Sequence, residues 1–521
     1  MLLIGAGIVE LLVSSLPPRI IDAALSLLEP EAMSAPIDAN GSNLIREVLE
    51  QREPSLGPMT YASLDSRKLS GLVCTLGILF LLNGVTLALQ SRRPSTGAAV
   101  HVFPFAVAAS LVILLVGYRT VIHAGVGFGR GGDTPAVASG IILNDVDNLS
   151  YASWAAQAKE GRLWFEVLYT TEPHEAVYFN PFFLAVGWTA RALDVPVLAV
   201  LHVAGLAAAF LTILCVYSIS LLAGLSVAAA RWATFLTAFS SGLSTVMTLL
   251  HAWTGVPLFL GVDVIYLEAI LFTTFCCWPY QSCMLGLLAA SILCLMVCEK
   301  KSGPCPWSRI CTAGLPVLTF LLIAAHPYDG LMLLGSYLAF ASLSLFSAAG
   351  RLCGKRRAVL VALLAVAVLP VTAYNVWVSR QEVWSGFAQV CLGEWRPRWA
   401  WLIGYGLTLP LGMAGAASCL RTGRWRSVCW LAVWTVLVGV LLVGLNVPQT
   451  TKLCSGGHLP MCIMAGAACA AIVRRTRQIR RPAQRGGCLC GRLLCCFDHD
   501  IELPGYAAVR LLNARLRPGL A

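Results

Sequence analysis

Two carboxylates stand two residues apart in the stretch NDVDNLSYASW, Asn144–Trp154: Asp145 and Asp147. In an extended or turn conformation that spacing lets both point one way, which a helix does not. Such a pair can hold a divalent cation against a phosphate. Alternatively, one member can take a proton from a hydroxyl as a general base. The competing reading is a capped turn, with Asp147 or Asn148 opening a helix through LSYASWAAQAKEG. Asn148-Leu149-Ser150 is formally a glycosylation sequon, a pattern of low specificity.

Further polar groups recur along the chain. RLWFEVLYTTEPHEAVYFNPFF, residues 162–183, mixes aromatic rings with Glu166, Glu172, His174 and Glu175. It suits either substrate contact or a loop helix resting on lipid headgroups. Asp263 and Glu268 interrupt the apolar segment GVDVIYLEAILFTTF, where ionisable groups face a cavity or a partner. His326 and Asp329 in AAHPYDGL mark a proline-bearing helix junction. There they would bind a phosphate or a sugar hydroxyl, or satisfy helix-end backbone groups. Lys452 and His458 flank the Gly-Gly turn of NVPQTTKLCSGGHLPM. Cationic side chains and free N–H groups at a helix start form an anion site, unless the lysine only snorkels. Arg396 and Arg398 in GEWRPRWAW suit interfacial anchoring or a lipid headgroup.

The elements that must position these residues are apolar helices. Of 521 residues, 58% are hydrophobic and 12% charged, and mean hydropathy is +0.75. Soluble domains carry roughly twice that charge fraction. Apolar runs fall at 71–90, 98–118, 196–222, 230–250, 281–298, 309–325, 330–347, 358–378, 399–418, 427–446 and 459–473. Each approaches the ~20 residues that cross a bilayer core. The pattern predicts an all-α polytopic membrane protein of eleven or twelve spans. A β-barrel would show short alternating segments instead. Residues 1–70 form an N-terminal segment of open membrane association, 71–473 a transmembrane domain, and 474–521 a basic tail. Most of the 20 cysteines lie in apolar runs as small hydrophobes. Cys488, Cys490, Cys495 and Cys496 sit in the tail, where metal binding or lipidation competes with a plain juxtamembrane tail.

The net charge of +11 is scattered between apolar runs, which argues against nucleic acid as a partner. The basic clusters are Arg92-Arg93, Arg231, Lys300-Lys301-Arg309, Arg351–Arg357, Arg421–Arg426 and Arg474–Arg481. They occupy alternate connections, and the positive-inside rule makes that side cytoplasmic. The long loop 119–195, with its amphipathic helices, and every polar motif above then face the other side.

Taken in order, DNLSYASWAAQAKEGRLWFEVLYTTEPHEAVYFNPFFLAVGWTARAL, DVIYLEAILF, AHPYDG, LIGYGLTLPL and SGGHLPM resemble the GT-C superfamily of integral membrane glycosyltransferases over roughly residues 100–473. The likeness is to its prokaryotic-type polytopic members. The resemblance implies a GT-C-like bundle that moves a sugar from a polyprenyl-phosphate donor to a glycan, lipid or protein acceptor at the extracytoplasmic face. The membrane would be the plasma membrane in a prokaryote and the endoplasmic reticulum in a eukaryote. The family's catalytic acid lies in the first outer loop, matched here by Asp145 or Asp147, and some relatives use Mg²⁺ or Mn²⁺. Glu172, His174, Asp263, Glu268, His326, Asp329, Lys452 and His458 are the candidate substrate-binding residues. The competing classes are a transporter or lipid flippase, with charges near the bilayer midplane, and a non-catalytic membrane protein of the same fold. No P-loop or dinucleotide fingerprint is present.

The orientation is testable. In sealed right-side-out vesicles, an impermeant maleimide should label Glu175→Cys above the native background, and Arg424→Cys only after permeabilisation. The reverse pattern would overturn the assigned sides.

Overall fold

The computed structural model describes residues 102–116, 145–168, 173–243, 270–277, 279–300, 306–347, 351–381, 384–385, 398–422, 427–444 and 450–480. All but Val116 fall in one compact unit. The run 71–90, the segment 1–70, the tail beyond Arg480, and Glu172, Asp263, Glu268 and Arg396 lie outside the described residues.

The architecture is helical. The helices are α1 Val102–Val116, α2 Asp145–Lys159, α3 Pro181–Ala192, α4 Val197–Leu222, α5 Val227–Phe239, α6 Leu271–Cys277, α7 Pro279–Glu299 and α8 Pro306–Ala325. They continue with α9 Pro327–Ser344, α10 Gly354–Val378, α11 Arg398–Tyr405, α12 Thr408–Thr422, α13 Ser427–Gly444, α14 Thr450–Leu453 and α15 His458–Arg480. Strand pairing among the described residues is limited to one antiparallel bridge, Phe165 with Tyr178. Five stretches are long and apolar enough to cross a membrane: Val197–Leu222, Pro279–Glu299, Ser308–Ala325, Gly354–Val378 and Ser455–Thr476. Shorter apolar helices are Val102–Val116, Val227–Phe239 and Val428–Leu442. The chain is an integral, all-α membrane protein.

One predicted span is corrected. The run 399–418 is not continuous: α11 and α12 are separated at Gly406, whose φ of +49 turns the chain left-handed. The peptide beside the break is held from outside, because the Leu243 N–H donates to the Ile403 carbonyl at 2.8 Å.

α7 and α15 are the inner helices. Two thirds of each apolar window is buried, against 28% for α10. α7 packs on α4 and α8, and α15 packs on α5, α12 and α13. Lipid tails are as apolar as leucine, so close backbone approach rather than water exclusion draws such helices together. Glycine supplies that approach. A Cβ on Gly415 of α12 would lie 2.0 Å from the Met464 carbonyl oxygen of α15.

α7 and α15 run the same way, which defines two rims. One rim holds Pro279 and His458; the other holds Glu299, Arg474 and Arg475. At this basic rim Arg357 of α10 grips Glu299 through Nε–Oε1 at 3.0 Å and Nη2–Oε2 at 3.3 Å. The Tyr337 hydroxyl donates to the same carboxylate, and the guanidinium lies 4.4 Å from the Phe340 ring centroid. Three donor groups, two opposite charges and a π-face hold the pair together away from water.

Gly415→Ala should push α12 from α15 and cost about 1–3 kcal/mol, read as a lower midpoint of thermal unfolding in detergent. Gly314→Ala, where an added Cβ meets nothing within 4 Å, should leave the midpoint unchanged or slightly raised.

Candidate functional site at the rim opposite the basic residues

Sequence-distant motifs meet at the Pro279 rim. The residue before a proline is kept out of helix, so Ala325-His326-Pro327 ends α8 and restarts the chain as α9. His326 takes an extended conformation at that junction, and Asp329 falls in the first turn of α9 with no exposed surface.

An unpaired buried carboxylate would be very costly, and this one is saturated. Ser455 Oγ donates to Oδ1 at 2.9 Å. The Gly456 N–H donates to the same oxygen at 3.0 Å, and His326 Nδ1 lies 3.0 Å from Oδ2. A proton on Nδ1 suits this contact. His326 Nε2 faces the Gln281 amide nitrogen at 3.4 Å. The backbone at Gly456 must lack a side chain, because a Cβ there would stand 2.6 Å from Asp329 Oδ1.

The expected open anion site at the Gly-Gly turn is therefore corrected. Residues 455–457 form a 3₁₀ turn leading into α15, and the anion on the Gly456 amide is the chain's own Asp329. His458 is not presented as a cation either. It is 1% exposed, its Nδ1 accepts the Leu271 N–H at 3.1 Å, and the Tyr405 ring meets it edge-on at 5.3 Å. Lys452 lies on α14, half-buried, just before this turn.

The segment carrying α2 and α3 packs onto the same rim. α2 and α3 are held together by Gly187, where a Cβ would lie 2.5 Å from the Ala155 carbonyl oxygen. Tyr151 of α2 sits 4.4 Å, centroid to centroid, from Tyr280 of α7. The Tyr280 hydroxyl donates to the Ala325 carbonyl, the residue before His326. Trp154, Tyr178, Phe183 and Trp384 complete an aromatic cluster around it. Tyr374 of α10 fastens the loop from below: its hydroxyl accepts from the Phe179 N–H at 2.7 Å and donates to the Val177 carbonyl at 2.7 Å. His174 closes the loop on itself, its Nε2 accepting the Val167 N–H at 2.9 Å.

Asp145 and Asp147 lie in the first turn of α2, not in the extended or turn conformation expected. The described residues hold no group of three or more His, Cys, Asp or Glu that could hold a metal ion. Asp147 is half-buried and Tyr151 is one turn further along the same helix. The helix that carries Asp147 is thus linked through Tyr151, Tyr280, Ala325 and His326 to Asp329 and Ser455. The sequon is not an acceptor: Asn148 is 6% exposed within α2.

Sequence reasoning missed Ser455, Gln281 and Tyr374. The signal was available, since each is a hydrogen-bonding side chain in or beside an apolar run, where such groups need partners.

Asp329→Ala should destabilise by about 3 kcal/mol or more, because it leaves His326, Ser455 and Gly456 without their acceptor. Ser455→Ala should cost about 1 kcal/mol. The double variant should cost less than the sum, since the two share one contact. Thermal unfolding of the detergent-solubilised chain reads all three.

No family model matches the chain, and no curated protein matches it. Solved structures similar to it are of an oligosaccharyltransferase from Archaeoglobus fulgidus. The crystal structure tethered to an acceptor peptide containing the NVT sequon is 14% identical with a TM-score of 0.43, covering 80% of this chain and 53% of that one. The complex with zinc and sulfate is 15% identical with a TM-score of 0.44, covering 76% and 52%. The apo form is 12% identical with a TM-score of 0.45, covering 79% and 54%. The chain spans about half the length of the solved chains it matches.

Proposed function

We propose that the chain is a membrane glycosyltransferase. It would move a sugar from a polyprenyl-phosphate donor to an acceptor hydroxyl at the rim opposite the basic residues, which the positive-inside rule makes extracytoplasmic. The observation that carries this reading is the linkage of three separated motifs at one rim. The helix of Asp147 meets Tyr280, Tyr280 meets the residue before His326, and Asp329 meets Ser455 and Gly456.

In this reading Asp145 or Asp147 deprotonates the acceptor hydroxyl, and the oxygen attacks the anomeric carbon as the bond to phosphate breaks. α2 carries both candidates in its first turn, Asp147 half-buried. Lys452, placed just before the 455–457 turn, would stabilise the departing phosphate; His458 and the Gly456 amide bind within the protein. Such a stabiliser contributes on the order of 10²–10³ in rate. His326, Asp329 and Ser455 act as positioning residues for the rim. Glu172, Asp263 and Glu268 remain candidates for donor or acceptor contact, and His174 for shaping the loop.

The placement of buried ionisable groups disfavours a transporter or flippase. His326 and Asp329 gather near one end of α7, Glu299 and Arg357 at the other. Its 21 residues separate the two sets by about 30 Å. A transporter would place such groups near the midplane.

The test is transfer of labelled hexose from a polyprenyl-phosphate hexose in proteoliposomes holding the full chain. Asp145→Asn and Asp147→Asn are compared with wild type at matched protein level. One of the two should lose about 10²–10⁴ in turnover, while Lys452→Gln should lose about 10²–10³. Unchanged transfer in both aspartate variants would remove the proposed base.

A further inference from the structure

We propose that a groove on the basic rim binds the phosphate headgroup of an anionic phospholipid, at the end of the molecule opposite the catalytic site proposed above. The groove holds about 440 Å³ and runs between the α4–α5 turn and the last turns of α15. Gly224 and Ser226 form one wall; Ala467, Ala471, Arg474 and Arg475 form the other.

Three features suit that ligand. The first is charge. Arg474 and Arg475 are consecutive and exposed, no carboxylate lines the groove, and neither arginine joins an ion pair among the described residues. Guanidinium forks match phosphate oxygens in pairs, and basic pockets between membrane helices on this side recognise anionic headgroups.

The second is depth. The apolar run of α15 ends at Val473, so both arginines follow it directly, at headgroup level. The alanines lie one to two turns deeper, where the glycerol and upper acyl chain of a lipid would pass. A free anion has no use for that apolar floor.

The third is built space. Gly224 has a φ of +86 and nothing within 4 Å of where a Cβ would stand. The turn therefore stays open above the groove although α5 and α15 touch below it. There a Cβ on Gly466 would lie 2.5 Å from the Ala233 nitrogen. Ser226 caps α5 through the Ala229 N–H, and the helix start adds partial positive charge on the same side.

The experiment titrates the detergent-solubilised full chain with phosphatidylglycerol, and with phosphatidylcholine for comparison, and counts bound lipid by native mass spectrometry. Wild type should retain phosphatidylglycerol in preference. Arg474→Gln/Arg475→Gln should lower that binding about tenfold or more, and Ala471→Phe should lower it with both charges in place. Arg421→Gln, an exposed arginine outside the groove, should leave it unchanged. Monodisperse elution of each variant confirms folding. The proposal fails if the double arginine variant binds like wild type, if Arg421→Gln loses as much, or if millimolar inorganic phosphate displaces the lipid. The last result would mark a site for free anions instead. None of these outcomes depends on glycosyl transfer.

Discussion

A single carboxylate, Asp329, organises the rim where the motifs meet. It has no exposed surface, and three partners surround it, two from the 455–456 turn and one from the N-cap of its own helix. Removing an ionised group from water costs several kcal/mol after relaxation, and hydrogen bonds of this quality offset it only when all are made. The start of α15, the α8–α9 corner and the head of α7 are therefore not free to drift separately. Tyr280 extends the constraint outward, because its ring receives the loop helix and its hydroxyl is tied to the corner. A loop carried on such a fixed point can hold a reactive side chain more accurately than one tethered only by its ends.

The opposite rim solves a different problem with a different pair. Glu299 and Arg357 join α7 to α10 where the chain leaves the apolar layer, with Tyr337 and Phe340 of α9 completing the enclosure. Each end of α7 thus carries its own polar fastening, and the length between is filled by apolar packing against α4 and α8. Positions are fixed at the two interfaces, where water and lipid compete for the backbone, while the middle is held by shape.

The helical plan was legible because the bilayer imposes one length and one polarity on every crossing. Runs such as 281–298 and 358–378 reappear as Pro279–Glu299 and Gly354–Val378. The alternation of basic clusters was legible for the same reason, and Glu299, Arg357 and Arg474 do stand on one rim. The break at Gly406 was not legible. It depends on a left-handed glycine and on a carbonyl engaged by Leu243, more than 150 positions away. The site was legible as a set of motifs but not as chemistry. AHPYDG and SGGHLPM were read as two binding elements, yet they bind each other, and pairing across the chain leaves no local trace in residue type. Asp145 and Asp147 were read as an extended or turn pair, or as the cap of a helix starting at Asp147 or Asn148; spacing cannot reveal where a helix begins, and it begins at Asp145.

The seam between α12 and α15 has a consequence for how this chain can change over time. At Gly415 the neighbour is a peptide carbonyl, not a side chain. A bulkier residue there cannot be accommodated by trimming its partner, since every amino acid carries the same carbonyl. Contacts between side chains, such as Trp430 with Ser336, permit paired exchange; a contact with bare backbone does not. Diversification in this protein should therefore be channelled away from that seam, and a suppressor of a lesion at Gly415 would have to act by shifting a whole helix.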